Sequence, residues 1–147
     1  MRHALHEFER RFRVMLESLN MISIILDTRG KLVFCNDFLL NITGYHRDEL
    51  LSIDWFETFI PSEMRDMMIR IYQNSMIEGE FPVNYESEIV TRDNRRRLIS
   101  WTNTILRDTK GQVIGTASIG EDVTDRRIAE KKLRDSEEKY RQLFAIE

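Results

Sequence analysis

The chain has a single cysteine, Cys35, in 147 residues, which excludes an internal disulfide and any zinc, iron–sulfur or covalently attached haem motif built from its own thiols. Long apolar runs are missing as well. The purely apolar stretches are a few residues each, far short of the ~20 that a membrane-spanning helix needs. The opening Met1-Arg2-His3-Ala4-Leu5-His6-Glu7 carries no apolar signal region, so no membrane segment is expected and the default location is the cytoplasm. Positive charge is not in excess either: 22 Lys and Arg against 25 Asp and Glu give a net charge of -3. That balance argues against a nucleic-acid partner, which would call for a basic field. The length suits one domain with terminal extensions, and 41% hydrophobic residues suffice for an ordinary core.

The ends of the chain show helical periodicity. Leu5, Phe8, Phe12, Met15 and Leu19 alternate spacings of three and four, with Glu7/Arg11 and Glu9/Arg13 as supporting pairs. Ala129, Leu133, Ser136, Tyr140 and Leu143 do the same at the other end, supported by Glu130/Arg134, Asp135/Lys139 and Glu137/Arg141. Both seams are suited to pairing with another helix, and a homodimer through the terminal helices is expected. Glu9 to Leu16 also echoes Glu137 to Phe144, which suggests that a second, similar unit follows in the same chain.

Between the seams, Met21 to Asp27 and Lys31 to Cys35 read as a hairpin around Asp27-Thr28-Arg29-Gly30. Asn36 is placed to cap a helix through Ile42, and Asp48 a short turn over Glu49-Leu50-Leu51. Trp55-Phe56 and Phe59-Ile60-Pro61 form an apolar connector, and Ser62 opens a longer helix that Gly79 ends. Its expected inner face is Met64, Met67, Met68, Ile71, Tyr72 and Met76. Three strands follow, roughly Val83 to Thr91, Arg95 to Leu106 and Gln112 to Asp122. This order predicts an α+β fold, an antiparallel sheet with one face under helices.

The last strand runs into a charged helix at Asp122-Val123-Thr124-Asp125-Arg126-Arg127. Strand alternation puts Val113, Gly115, Ala117 and Ile119 on one apolar face. Thr124 suits an N-cap, Asp125 favours the positive helix end, and Val123 and Ile128 occupy hydrophobic-staple positions. A strand wired to a helix in this way can pass movement onward.

Asn36-Asp37, Gly44-Tyr45-His46-Arg47-Asp48-Glu49-Leu50, Trp55-Phe56, the stretch Trp101 to Gly115 and Asp122-Val123-Thr124 stand in an order that resembles a PAS domain with its PAC segment. The resemblance covers about residues 12 to 127. It implies a five-stranded antiparallel sheet of order 2-1-5-4-3, with helices cupping one face around a small-molecule pocket. It also marks Asp122-Val123-Thr124 as the junction to a signalling helix, with Asp125 and Arg126 in its first turn. The organisation expected is then a linker helix over residues 1–20, the PAS/PAC sensory domain over 21–123 and a signalling helix over 124–147 leading to a second PAS domain. Such domains serve histidine kinases, diguanylate cyclases, phosphodiesterases, chemoreceptors and transcription regulators.

The expected pocket lining is Trp55, Met67, Met68, Ile71, Tyr72, Tyr85, Ile89, Ile99, Trp101, Asn103, Ala117 and Ile119. An FMN-binding LOV site is disfavoured, because Trp55 stands where that branch has its cysteine. Ile89, Ile99 and Ala117 stand where it presents amides. Haem is disfavoured because Ser62 to Gly79 contains no histidine, and a methionine stripe at helical spacing reads as core packing. No metal site is expected. What remains is an empty packed core, which is favoured, beside FAD held differently or a small apolar or aromatic metabolite. Cys35 reads as a small buried hydrophobe, since no cationic residue adjoins it in sequence. The run Arg95-Arg96-Arg97 reads as a solvated hairpin edge rather than a phosphate site.

The resulting expectation is a non-catalytic input module of a larger bacterial-type signalling protein, a sensor histidine kinase or a diguanylate cyclase/phosphodiesterase. A ligand-free interaction piece of a transcription regulator is the alternative. A stand-alone enzyme using Glu86, Glu88, Glu121, Asp122 and Asp125 is disfavoured, because no nucleophile, metal set or phosphate loop accompanies these acids.

Overall fold

The computed structural model describes residues 2–145; Met1, Ile146 and Glu147, at the outer ends of segments 1–20 and 124–147, lie outside the described residues. A helix α1 (Arg2–Ser18) leads into strands β1 (Met21–Asp27) and β2 (Leu32–Cys35). Helices α2 (Asp37–Thr43), α3 (Arg47–Leu50), α4 (Trp55–Phe59) and α5 (Ser62–Glu78) follow. Strands β3 (Asn84–Val90), β4 (Arg96–Arg107) and β5 (Val113–Asp122) then give way to α6 (Thr124–Phe144). The strands form one antiparallel sheet in the order β2-β1-β5-β4-β3, as the resemblance implied.

Burial in β1 follows the period of two. In β1 every second residue, Ile22, Ile24 and Leu26, is buried, and these meet Leu39, Trp55, Phe56, Phe59 and Tyr72 from the helices. Each fully buried side chain of this size contributes roughly 1.5–3 kcal/mol of transfer free energy, so the helical layer is held to the sheet chiefly by this face. Trp55 anchors the layer, with its ring 4.5 Å from Phe59 and edge-on to Trp101 at 5.8 Å.

Two local expectations are corrected. Asn36 precedes α2 but does not cap it: its Oδ1 accepts from Ser23 N at 3.0 Å and its Nδ2 donates to Met21 O at 2.8 Å, so it extends the edge of β1. The α2 amide of Phe38 bonds instead to the Glu17 carboxylate of α1 at 2.9 Å, which ties α1 to the sheet domain. The short α3 begins after His46 rather than Asp48, and the His46 amide donates to Glu49 Oε1 at 3.1 Å.

The face that β5 presents is the larger correction. Arg107 pairs with Val113 but Leu106 pairs with Gly115, so Ile114 is an extra residue. One extra residue sends every later side chain to the opposite face. Thr116, Ser118 and Gly120 therefore lie against the core, while Ala117 and Ile119 are half-buried on the other side. The helix α5 is also turned from expectation. Met68, Tyr72 and Ser75 face inward, Met67 is 45% exposed, and Ile71 is only half-buried.

Candidate functional site

The inward side chains line a partly open cavity of about 40 Å³ between the sheet and α4–α5. Of the residues expected there, Trp55, Met68, Tyr72, Tyr85, Trp101 and Asn103 line it. Ile89 and Ile99 are fully buried beside it in the core without lining it. Met67, Ile71, Ala117 and Ile119 do not reach it, for the reasons of helix rotation and strand bulge given above. Ile24, Leu26, Phe56, Ile60, Phe81, Ser87, Thr116 and Ser118 complete the wall.

Most polar side chains of this wall are paired, with one another or with backbone carbonyls. Tyr72 donates its hydroxyl to Asp27 O at 2.7 Å, and since a phenol has one proton, Thr116 is the donor in the 3.3 Å contact between Thr116 Oγ1 and Tyr72 Oη. Ser118 donates to Asn103 Oδ1 at 2.6 Å, Asn103 Nδ2 to Pro82 O at 2.9 Å, and Trp101 Nε1 to Ser87 Oγ at 3.1 Å. Burial pushes the Tyr72 phenol up to about 12, so it stays a donor throughout the physiological range. No charged side chain lines the cavity. Because Thr116 rather than Ala117 faces inward, one of the three positions used to argue against flavin carries a hydroxyl after all.

A second site is the exit from β5. Asp122 sits at its centre: Arg97 Nε donates to Asp122 Oδ2 at 2.8 Å, and the Thr124 amide and hydroxyl donate to Oδ1 at 3.0 and 2.6 Å. Thr124 is thus not an N-cap; its hydroxyl also accepts from Leu98 N on β4 at 2.7 Å, lashing the first turn of α6 to the sheet. Val123 is buried while Ile128 is half-exposed, so the sheet rather than a staple covers Val123. Asp125 approaches Arg97 at 3.8 Å, and Arg126 pairs with Glu121 at 3.2 Å. A further tie went unread in the sequence, where its partners are far apart: Arg127 of α6 bonds to Glu86 of β3. In the run Arg95-Arg96-Arg97 each arginine has an acidic neighbour, Asp93 for Arg95, Glu63 and Glu88 for Arg96, and Asp122 for Arg97, in keeping with a solvated hairpin edge.

Burial works against the charged form of Asp122, yet the hydrogen bonds from Arg97 and Thr124 outweigh it and hold the carboxyl below its ordinary value. A depressed native pKa stabilises the fold above the unfolded value of about 4, and that contribution is lost as pH falls through the native value. The Asp122→Asn variant is therefore expected to be less stable than the parent at about pH 6, with the gap closing as the pH falls below about 4. Thermal melts across that range measure it; a gap that stays constant to about pH 2.5 would contradict the assignment.

Cys35 is fully buried, and burial pushes its thiol up although Arg47 lies 4.0 Å from Sγ and donates to Cys35 O at 2.8 Å. That environment disfavours the thiolate. No cluster of metal-ligating side chains occurs, and no helix is long and apolar enough to cross a membrane, among the described residues.

A five-stranded antiparallel sheet of order β2-β1-β5-β4-β3 with helices packed on it defines the fold class. The PAS fold family matches residues 10–123, and the chain belongs to that family. No curated protein matches the sequence. Solved structures with the same fold include a PAS domain from Colwellia psychrerythraea, at TM-score 0.64 and 13% identity, covering 80% of this chain and 98% of the other. A sensory box histidine kinase/response regulator from Burkholderia thailandensis aligns at TM-score 0.65 and 22% identity, covering 90% and 98%. The PAS domain of the Cronobacter turicensis quorum-sensing receptor RpfR, in complex with C12:0, aligns at 0.59 and 24%, covering 71% and 95%.

Proposed function

We propose that this chain is the cytoplasmic sensory and dimerisation module of a larger bacterial-type signal-transduction protein, a sensor histidine kinase or a diguanylate cyclase/phosphodiesterase. In this reading two copies pair through α1 and α6, and a change in the sheet shifts that pairing through Asp122, Thr124, Asp125 and Arg126. The signal passes to a following PAS unit and an output domain in the same chain. The observation that carries the reading is α6 itself, a 21-residue helix with no buried residue, held to the domain at its first turn by the Asp122 bonds. Leu133, Tyr140 and Leu143 are each more than 60% exposed along its seam, as are Leu5 and Phe8 to a similar degree on α1. A seam of that kind is stabilised by a partner helix rather than by propensity alone.

Oxidative cross-linking in a Cys35→Ser background tests the pairing. Ser136→Cys, on the seam, is expected to form disulfide-linked dimers at least about fivefold faster than Glu138→Cys on the opposite face of the helix. Equal rates at the two positions would sink the helical dimer.

A further inference from the structure

The inner cavity does not stand alone. A cleft of about 220 Å³ opens on its flank, between α4–α5 and the edge strand β3, and it shares Ile60, Met68, Tyr85 and Ser87 with the cavity wall. The partition between the two spaces includes a single weak bond, Tyr85 Oη to Met68 Sδ at 3.5 Å. Methionine has three rotatable bonds and Tyr85 is only half-buried, so this partition can swing aside without breaking a backbone pair. Neither space alone reaches the ~300 Å³ of an ordinary small-molecule site, whereas the two joined approach it.

We propose that cleft and cavity form one gated binding site for an uncharged amphiphile that donates a hydrogen bond, such as a medium-chain alcohol. This rests on the sensory-module reading. The head would lie against Ser118 and Thr116, whose hydroxyl protons are already given to Asn103 and Tyr72 but whose lone pairs remain available. The tail would lie along Ile60, Met64 and Met68 toward the mouth.

The same chemistry rejects an anion. The cavity has no cationic side chain to accompany a buried carboxylate, whose desolvation would go uncompensated. The donors of Tyr72, Thr116, Ser118 and Trp101 are engaged by protein acceptors, and the remaining ones, the Ser87 hydroxyl, the second Asn103 N–H and the Tyr85 hydroxyl, are neutral groups that do not offset the desolvation of a full charge. Glu86 and Glu88 on the cleft wall are already paired with Arg127 and Arg96, and no cationic side chain lines the cleft to receive an anion.

Titration of the whole chain with 1-octanol and with octanoate at neutral pH, followed by tryptophan fluorescence and by thermal melting, decides the matter. Saturable one-to-one binding of 1-octanol, at least tenfold tighter than octanoate, is the expected result. Met68→Trp should close the gate and weaken 1-octanol at least tenfold, while Met68→Ala should leave it bound and speed its association. Equal binding of the two probes, no saturable binding of 1-octanol, or a folded Met68→Trp variant that binds it like the parent would each overturn the proposal. Should Met68→Trp fail to fold, the comparison of the two probes on the unaltered protein still decides. Dimer cross-linking is read without ligand, so failure here is distinguishable from failure of the sensory-module reading.

Discussion

Gly115→Ala is expected to cost the fold about 3–5 kcal/mol, the largest loss of any single methyl addition in this chain. Gly115 has a φ of +151°, and a Cβ built there would stand 2.0 Å from Leu26 O and 3.2 Å from Asp27 Cα. Both atoms are backbone of β1, the neighbouring strand, so relief requires the sheet to part rather than a side chain to turn. Gly111 serves as the control: it has a φ of +82° but open space around it, and alanine there should cost only about 1 kcal/mol of backbone strain. Urea unfolding of the two variants measures the difference. A Gly115→Ala loss below about 1 kcal/mol would mean that the β5 bulge is not held as described.

Asp122→Ala is expected to remove about 2 kcal/mol and, with it, the coupling of α6 to the sheet. The side chain is only 8% exposed and receives Arg97, the Thr124 amide and the Thr124 hydroxyl at once. Its removal leaves Arg97 with Asp125 at 3.8 Å, a contact open to solvent on the aspartate side and of little worth. Hydrogen exchange should show lost protection at Thr124–Arg127 with β4 protection retained. Thr124→Ala should do less, about 1 kcal/mol, because it frees only the Leu98 amide and one proton of the Asp122 set. In the signalling protein proposed above, both variants should flatten the response to stimulus. Unchanged basal and stimulated output in both would remove the junction's role in transmission.

Apart from α4, where an apolar connector was expected and a short helix capped by Asp54 is found, the elements were legible in the sequence to within a residue or two. Period two between Met21 and Asp27, and Ser62 and Gly79 at the ends of a helical pattern, are local signals, and β1 and α5 appear at those positions. Asp122 and Thr124 were legible as junction residues, though Thr124 acts by binding β4 rather than by capping its own helix. Roles that depend on a distant partner were not legible. Nothing near Glu17 points to the Phe38 amide, and nothing near Glu86 points to Arg127.

The cavity shows the division most clearly. Sequence alone determined the order of the strands and longer helices, the exposed seams of α1 and α6, and the identity of Tyr72, Trp101 and Asn103 as inward residues, because each follows from local period. Which face of β5 meets them was decided by tertiary structure. Ala117 and Ile119 are the more apolar choice, but the extra residue at Ile114 turns Thr116 and Ser118 inward. That choice is stable because Tyr72 and Asn103, from α5 and β4, bond their hydroxyls. Gly120 meanwhile leaves room for Trp101, whose ring would lie 2.7 Å from any Cβ there. A buried hydroxyl is costly without a partner and acceptable with one, and the partners of Thr116 and Ser118 come into reach only when the sheet and helices are assembled.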